Sequence, residues 1–123
     1  SVSCAAAAAT IRVIREEKLL ENSARMGQHL MAGLSAMQEK YPAIGDVRGL
    51  GLMVAVEFTT PQGEPDTHTA KAVRVECLKR DLMLLTCGPY GNTVRWIPPL
   101  IVNQAQIEEA LKIFDSALAE VAS

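Results

Sequence analysis

Aromatic residues are scarce, at 4% of 123 residues, although hydrophobic residues of all kinds reach 49%. A packed core is therefore feasible, but it must be built mainly from aliphatic side chains and alanine. An excess of charge of one sign is also lacking. Twelve basic residues stand against 14 acidic ones, for a formal net charge of −2. That balance leaves no basic footprint for nucleic acid or an anionic membrane surface. No apolar run approaches the roughly 20 residues that a membrane-spanning helix needs. Cysteines are few, odd in number and widely spaced (Cys4, Cys77, Cys87), with no CxxC pair. This argues against a disulfide framework or a zinc site and fits free thiols in a reducing, cytoplasmic setting. His29 and His68 lie far apart with no ligand set beside them, so they read as surface histidines rather than metal ligands.

What is present reads as one domain of modest size. The chain opens without an initiator methionine or a basic leader and runs directly into Ala5–Ala9. It reads as a helix cut from a longer chain rather than a signal peptide. That helix, Val2 to about Glu17, is apolar all round through the alanines, which predicts that something outside it must cover it. Leu19 to Lys40 carries Leu19, Leu20, Met26, Leu30, Leu34 and Met37 at three- and four-residue steps, a second helix closed by Tyr41-Pro42. Ile44 to Thr59 turns apolar and partly β-branched, predicting strands bent at Gly49 or Gly51. After the loop Pro61–Asp66, a helix from about Thr67 to Arg80 is expected to turn Ala70, Val73, Cys77 and Leu78 inward. Leu82–Thr86 and Thr93–Ile97 read as strands around the glycine- and proline-rich turn Cys87–Asn92. Asn103 with Gln106 makes an approximate capping box, before a helix striped by Ile107, Leu111, Phe114, Leu118 and Val121. The order α-α-β-β-α-β-β-α predicts an α/β protein of the α+β type, with helices on one face of a small, mostly antiparallel sheet.

Most candidate chemistry fails on spacing or context. Arg48-Gly49-Leu50-Gly51 invites a dinucleotide reading, but Val54 stands where the third glycine belongs and no helix opens there. The carboxylates lie mostly on helix surfaces, and no nucleophile elbow accompanies either histidine. Lys18, Lys40, Lys71, Lys79 and Lys112 all lie on predicted helices or at their ends, among polar neighbours. None has the desolvated setting that a Schiff-base lysine requires. Arg95 is the exception. Strand alternation puts Val94 and Trp96 on one face and Thr93, Arg95 and Ile97 on the other. A guanidinium there either pairs internally, with Asp46 or Glu57, or holds an anionic ligand through its bidentate fork.

Several segments together resemble class III aminotransferases, and more narrowly 4-aminobutyrate aminotransferases. They are Val2–Ala7, Ile44–Met53, Leu84–Asn92, Val94–Leu100 and Asn103–Ile107. Ser1 stands where that family usually has proline. The resemblance covers essentially all 123 residues, and its most specific parts are the last three segments. It implies the C-terminal small domain of a fold type I enzyme, with residues 1–17 connecting it to a large domain that lies outside this chain. It also implies pyridoxal phosphate as cofactor, a homodimer, and amino-acid and 2-oxo-acid substrates. Arg95 matches the family's small-domain arginine, which binds the α-carboxylate of glutamate or 2-oxoglutarate. Gly91 and Asn92 shape the turn that presents its strand. The Schiff-base lysine, the aspartate on the pyridine nitrogen and most phosphate ligands of the family lie upstream of this segment. The chain alone is therefore expected neither to bind the cofactor covalently nor to transaminate. Two other readings stand beside this one. One is a free-standing regulatory domain that binds a small molecule at Arg95. The other is a structural dimerisation module in which Arg95 is paired internally.

Overall fold

The computed structural model describes residues 1–121. Its elements are α1 (Val2–Glu16), α2 (Leu19–Lys40), β1 (Ile44–Leu50), β2 (Met53–Phe58), α3 (Thr67–Leu78), β3 (Leu85–Cys87), β4 (Thr93–Trp96) and α4 (Gln104–Val121). The strands form one sheet in the order β1-β2-β4-β3, and every neighbouring pair is antiparallel. The expected α+β architecture is the observed one.

The sheet is two-faced because its strands alternate. Val54, Val56 and Phe58 of β2 are buried with Val94 and Trp96 of β4, on the side where α2 and α3 pack. Helix α4 packs on both α2 and α3, and its Phe114 meets the Trp96 ring edge-on at 5.1 Å between centroids. Leu30, Leu34, Val73, Ile107 and Leu118 complete this aliphatic interior. Each such side chain stabilises the fold by roughly 1.5–3 kcal/mol relative to exposure. The opposite face is different. Leu50, Met53, Leu85 and Ile97 are each more than half exposed. Helix α1 has no buried residue and, among the described elements, packs only on α2.

Two joints hold the strands in position. In the β1–β2 hairpin, Leu50 pairs with Met53 across the two-residue turn Gly51-Leu52. Gly51 adopts φ +55°, a positive value suited to the first central position of such a turn. At the other joint, the Asn92 side chain is buried and its Nδ2 donates to the Phe58 carbonyl at 2.9 Å. The Phe58 amide in turn donates to the Asn92 carbonyl at 2.8 Å. Thr67 at the start of α3 donates its hydroxyl to the Tyr90 carbonyl, pinning the same turn. Replacing Asn92 with alanine deletes a buried hydrogen bond and leaves the Phe58 carbonyl with the Asp66 amide alone. The expected loss is about 1–2 kcal/mol, read as a lower urea midpoint at constant slope.

The helix ends follow local chemistry. Asp66 caps α3, accepting from the Thr69 amide at 2.9 Å and the Thr69 hydroxyl at 2.6 Å. Burial alone would raise its carboxyl, but the Thr69 bonds outweigh it and hold the pKa below the ordinary value. The capping box is reciprocal. The Gln106 amide donates to Asn103 Oδ1 at 3.0 Å, and the Asn103 amide donates to Gln106 Oε1 at 3.1 Å.

Five expectations need correction. Leu20, expected in the apolar stripe of α2, is 74% exposed because one residue's rotation beyond buried Leu19 turns it outward, and Thr93, expected on the outward face with Arg95, is buried. Helix α3 stops at Leu78 rather than Arg80, and Leu78 is 49% exposed rather than inward. One residue beyond Cys77 rotates it off the stripe made by Ala70, Val73 and Cys77. Strand β3 occupies Leu85–Cys87 rather than Leu82–Thr86. Its ladder partner β4 ends at Trp96, and Pro98 just beyond it has no amide hydrogen to donate. Strand β4 accordingly stops one residue short of Ile97.

Candidate functional site

Arg95 sits in the middle of β4, opposite Ala55 of β2 on one side and Leu85 of β3 on the other. The register places all three on the uncovered face of the sheet. Its side chain is exposed and, among the described residues, makes no ion pair or side-chain hydrogen bond.

The two carboxylates considered as internal partners are engaged elsewhere. Arg48 of β1 takes both, its Nη1 lying 2.6 Å from Asp46 Oδ2 and 2.7 Å from Glu57 Oε2. The reason is register. Asp46 and Glu57 are directly opposite each other, a like-charge pair that destabilises a ladder unless a cation intervenes. Arg48 lies two residues from Asp46 on the same face; Glu57 is diagonal to both Arg48 and Arg95, and the Arg48 guanidinium is the one that sits between the two acids. Hydrogen bonds that it donates to Asp46 and then to Glu57 hold its guanidinium above its ordinary pKa.

Arg95 also lines a cleft of about 400 Å³. The cleft lies between the stretch before β3 and the residues that follow β4, with Leu85, Ile97, Pro98 and Ile107 among its walls and Gln106 as a polar member. Its position explains its origin: Leu82–Leu84 and Ile97–Pro99 continue β3 and β4 where the ladder has ended. An unpaired guanidinium beside an apolar wall can take the carboxylate of a small ligand whose carbon chain lies on that wall.

The remaining reactive groups do not gather there. Lys18, Lys40, Lys71, Lys79 and Lys112 are all solvent-exposed. Lys40 is bound to Asp115 at 2.8 Å, next to the Tyr41 hydroxyl that donates to the same carboxylate. The Cys77 thiol is buried, which pushes its pKa up to about 12 and leaves it unreactive. Cys4 is exposed and Cys87 half-buried. His68 is exposed, and His29 lies 3.4 Å from Glu108 between α2 and α4. Among the described residues no cluster of His, Cys, Asp or Glu is arranged to hold a metal ion, and no helix is long and apolar enough to cross a membrane. The Arg48 triad was not expected: Asp46-x-Arg48 is visible as a spacing, but the facing Glu57 depends on the β1–β2 register.

Comparison with known proteins gives a consistent answer. The family described as Aminotransferase class-III matches residues 1–118. The chain is 45% identical to 5-aminovalerate aminotransferase DavT of Pseudomonas putida, covering 98% of this chain and 29% of that protein. It is 38% identical to 4-aminobutyrate aminotransferase GabT of Escherichia coli, covering 97% of this chain and 28% of that protein. An amine transaminase from an uncultivated Pseudomonas species, solved in its PLP-bound form, superposes with a TM-score of 0.86. That match has 26% identity and covers 96% of this chain and 27% of the other. The chain thus spans less than a third of the length of the relatives it matches. By sequence and by fold, it belongs to the class III aminotransferase family.

Proposed function

We propose that this chain is the substrate-anchoring small domain of a class III aminotransferase. The complete enzyme would move an amino group from 4-aminobutyrate, 5-aminovalerate or a related ω-amino acid to 2-oxoglutarate. The observation that carries this reading is Arg95, an exposed arginine on the uncovered sheet face that has no ion-pair partner among the described residues and borders the cleft at the end of β3 and β4. In the complete enzyme it would grip the α-carboxylate of glutamate or 2-oxoglutarate through two parallel hydrogen bonds. Such a grip fixes the distance and orientation of the neighbouring carbon, which is where the amino group is exchanged.

The residues of this chain do not fit the cofactor. A lysine that binds an aldehyde must be partly desolvated, and every lysine here is exposed. Pyridoxal phosphate would therefore be held by the part of the enzyme outside these residues. That part would also cover the apolar face around Leu50, Met53 and Ile97, and would flank α1, residues 1–17 serving as the connecting helix. A homodimer and a cytoplasmic location complete the proposal.

The two named donors differ by one methylene, a difference worth only about 1–3 kcal/mol in an apolar pocket. Leu85, Ala55 and Arg95 alone do not supply such a pocket, so donor choice belongs to the rest of the enzyme. The test is an amino-transfer assay of the full reading frame beside the 123-residue chain. The full-length protein is expected to form glutamate from 2-oxoglutarate with either donor. The chain alone is expected to form none, and to show no stoichiometric lysine adduct by intact mass after incubation with pyridoxal phosphate. Absence of transfer in the full-length protein, or a stoichiometric adduct on the chain alone, overturns the proposal.

A further inference from the structure

The uncovered sheet face carries two arginines in one row. Arg48 pairs with Ala55 across β1–β2, and Ala55 pairs with Arg95 across β2–β4. At the usual strand spacing their Cα atoms stand about 10 Å apart. Only the small side chain of Ala55 lies between them, so two extended arginine side chains can converge above it. Yet their states are opposite. Arg95 has no partner among the described residues, while Arg48 is held by both Asp46 and Glu57. The held cluster carries one net negative charge on the flank of Arg95 that faces β1. On the other flank stands the apolar Leu85.

We propose that the Asp46–Arg48–Glu57 cluster is a specificity device that limits this face to a single carboxylate, the one at Arg95. The inference rests on the reading of Arg95 as a carboxylate anchor and adds what excludes a second one. With both acids in place, Arg48 is occupied, and a second carboxylate reaching over Ala55 meets net negative charge. A ligand that carries two carboxylates must turn its second one away from β1. Without the two acids, Arg48 and Arg95 would form a pair that brackets a short dicarboxylate.

The experiment titrates the 123-residue chain with acetate and with glutarate at low ionic strength, following the arginine Nε–H resonances by NMR. In the native chain the Arg95 resonance is expected to shift with both ligands, at midpoints within about threefold, while Arg48 stays still. In the D46N/E57Q chain the glutarate midpoint is expected to fall about tenfold, with acetate changing by less than about threefold and Arg48 now shifting too. This gain should vanish near 1 M salt, where the Debye length is about 3 Å. In R48Q the sign reverses: both acids lose their counterion, and glutarate is expected to weaken about threefold more than acetate. An Arg95 resonance that responds in every chain with an unchanged glutarate-to-acetate ratio overturns the cluster's role and leaves the anchor standing. An Arg95 resonance silent to both ligands in the native chain overturns the anchor, and this proposal with it.

Discussion

Replacing Arg95 with alanine in the assembled enzyme is expected to lower kcat/KM for glutamate and 2-oxoglutarate by roughly a hundredfold to a thousandfold. The magnitude follows from the type of contact. A bidentate guanidinium–carboxylate pair in a closed site combines two charge-assisted hydrogen bonds, and each tenfold in rate corresponds to about 1.4 kcal/mol. Part of the loss should appear in kcat, because an unanchored carboxylate also misplaces the reacting carbon. Arg95→Lys keeps the charge but loses the planar fork, so an intermediate loss is expected. Two controls separate this role from a structural one. Arg95 is exposed and has no ion-pair partner among the described residues, so the alanine variant should unfold within about 0.5 kcal/mol of the parent. Cofactor affinity, followed by the absorbance of the bound aldehyde, should be nearly unchanged. Equal losses of cofactor affinity and turnover would mean that Arg95 supports the site as a whole and not the substrate carboxylate.

Much of the scaffold around Arg95 was legible in the sequence because it rests on period and punctuation. Helix α2 occupies the span predicted by its Leu19, Met26, Leu30 and Leu34 spacing and by the Pro42 stop. The alternation in Val94-Arg95-Trp96 correctly separated the buried side chains from the outward arginine. The Asn103–Gln106 cap formed as its spacing implies. What escaped the sequence depends on which strand lies beside which. The order β1-β2-β4-β3 brings Ala55, not a carboxylate, opposite Arg95, and it puts Asp46 and Glu57 side by side within reach of Arg48, which pairs with both. Local pattern carries no such register. Thr93 shows the same limit: alternation put it on the outward face with Arg95, yet it is buried, flanked by Glu57 of β2 and Cys87 of β3. The exposed alanines of α1 are a different case, because a helix of small residues forms readily whether or not anything covers it.

Gly27→Ala is expected to destabilise the chain by about 3 kcal/mol or more, although helix propensity alone predicts the reverse. Gly27 lies inside α2, where alanine is favoured over glycine by roughly 1 kcal/mol. The opposing effect is steric and larger. A Cβ at Gly27 would stand 2.1 Å from the Gly51 carbonyl oxygen, 2.4 Å from its carbon and 2.8 Å from its Cα. All three are backbone atoms, so no side-chain rotation relieves the overlap. Nor can Gly51 retreat easily. It already holds φ +55° in the two-residue turn, and the Leu52 amide beside it donates to Ser23 Oγ of α2 at 3.3 Å. Accommodation therefore requires the β1–β2 hairpin to lift from α2, loosening the packing of Leu52 and Val54 in the core cluster that also holds Met26 and Leu30. Against a total stability of about 5–15 kcal/mol for a domain, that is a large fraction. Urea denaturation of the two chains decides the matter. A G27A midpoint at or above the parent's would mean that helix and hairpin stand further apart in solution. A clear fall would identify this glycine as the close contact that sets the height of the hairpin, and with it of Arg48 and Ala55, over the helix layer.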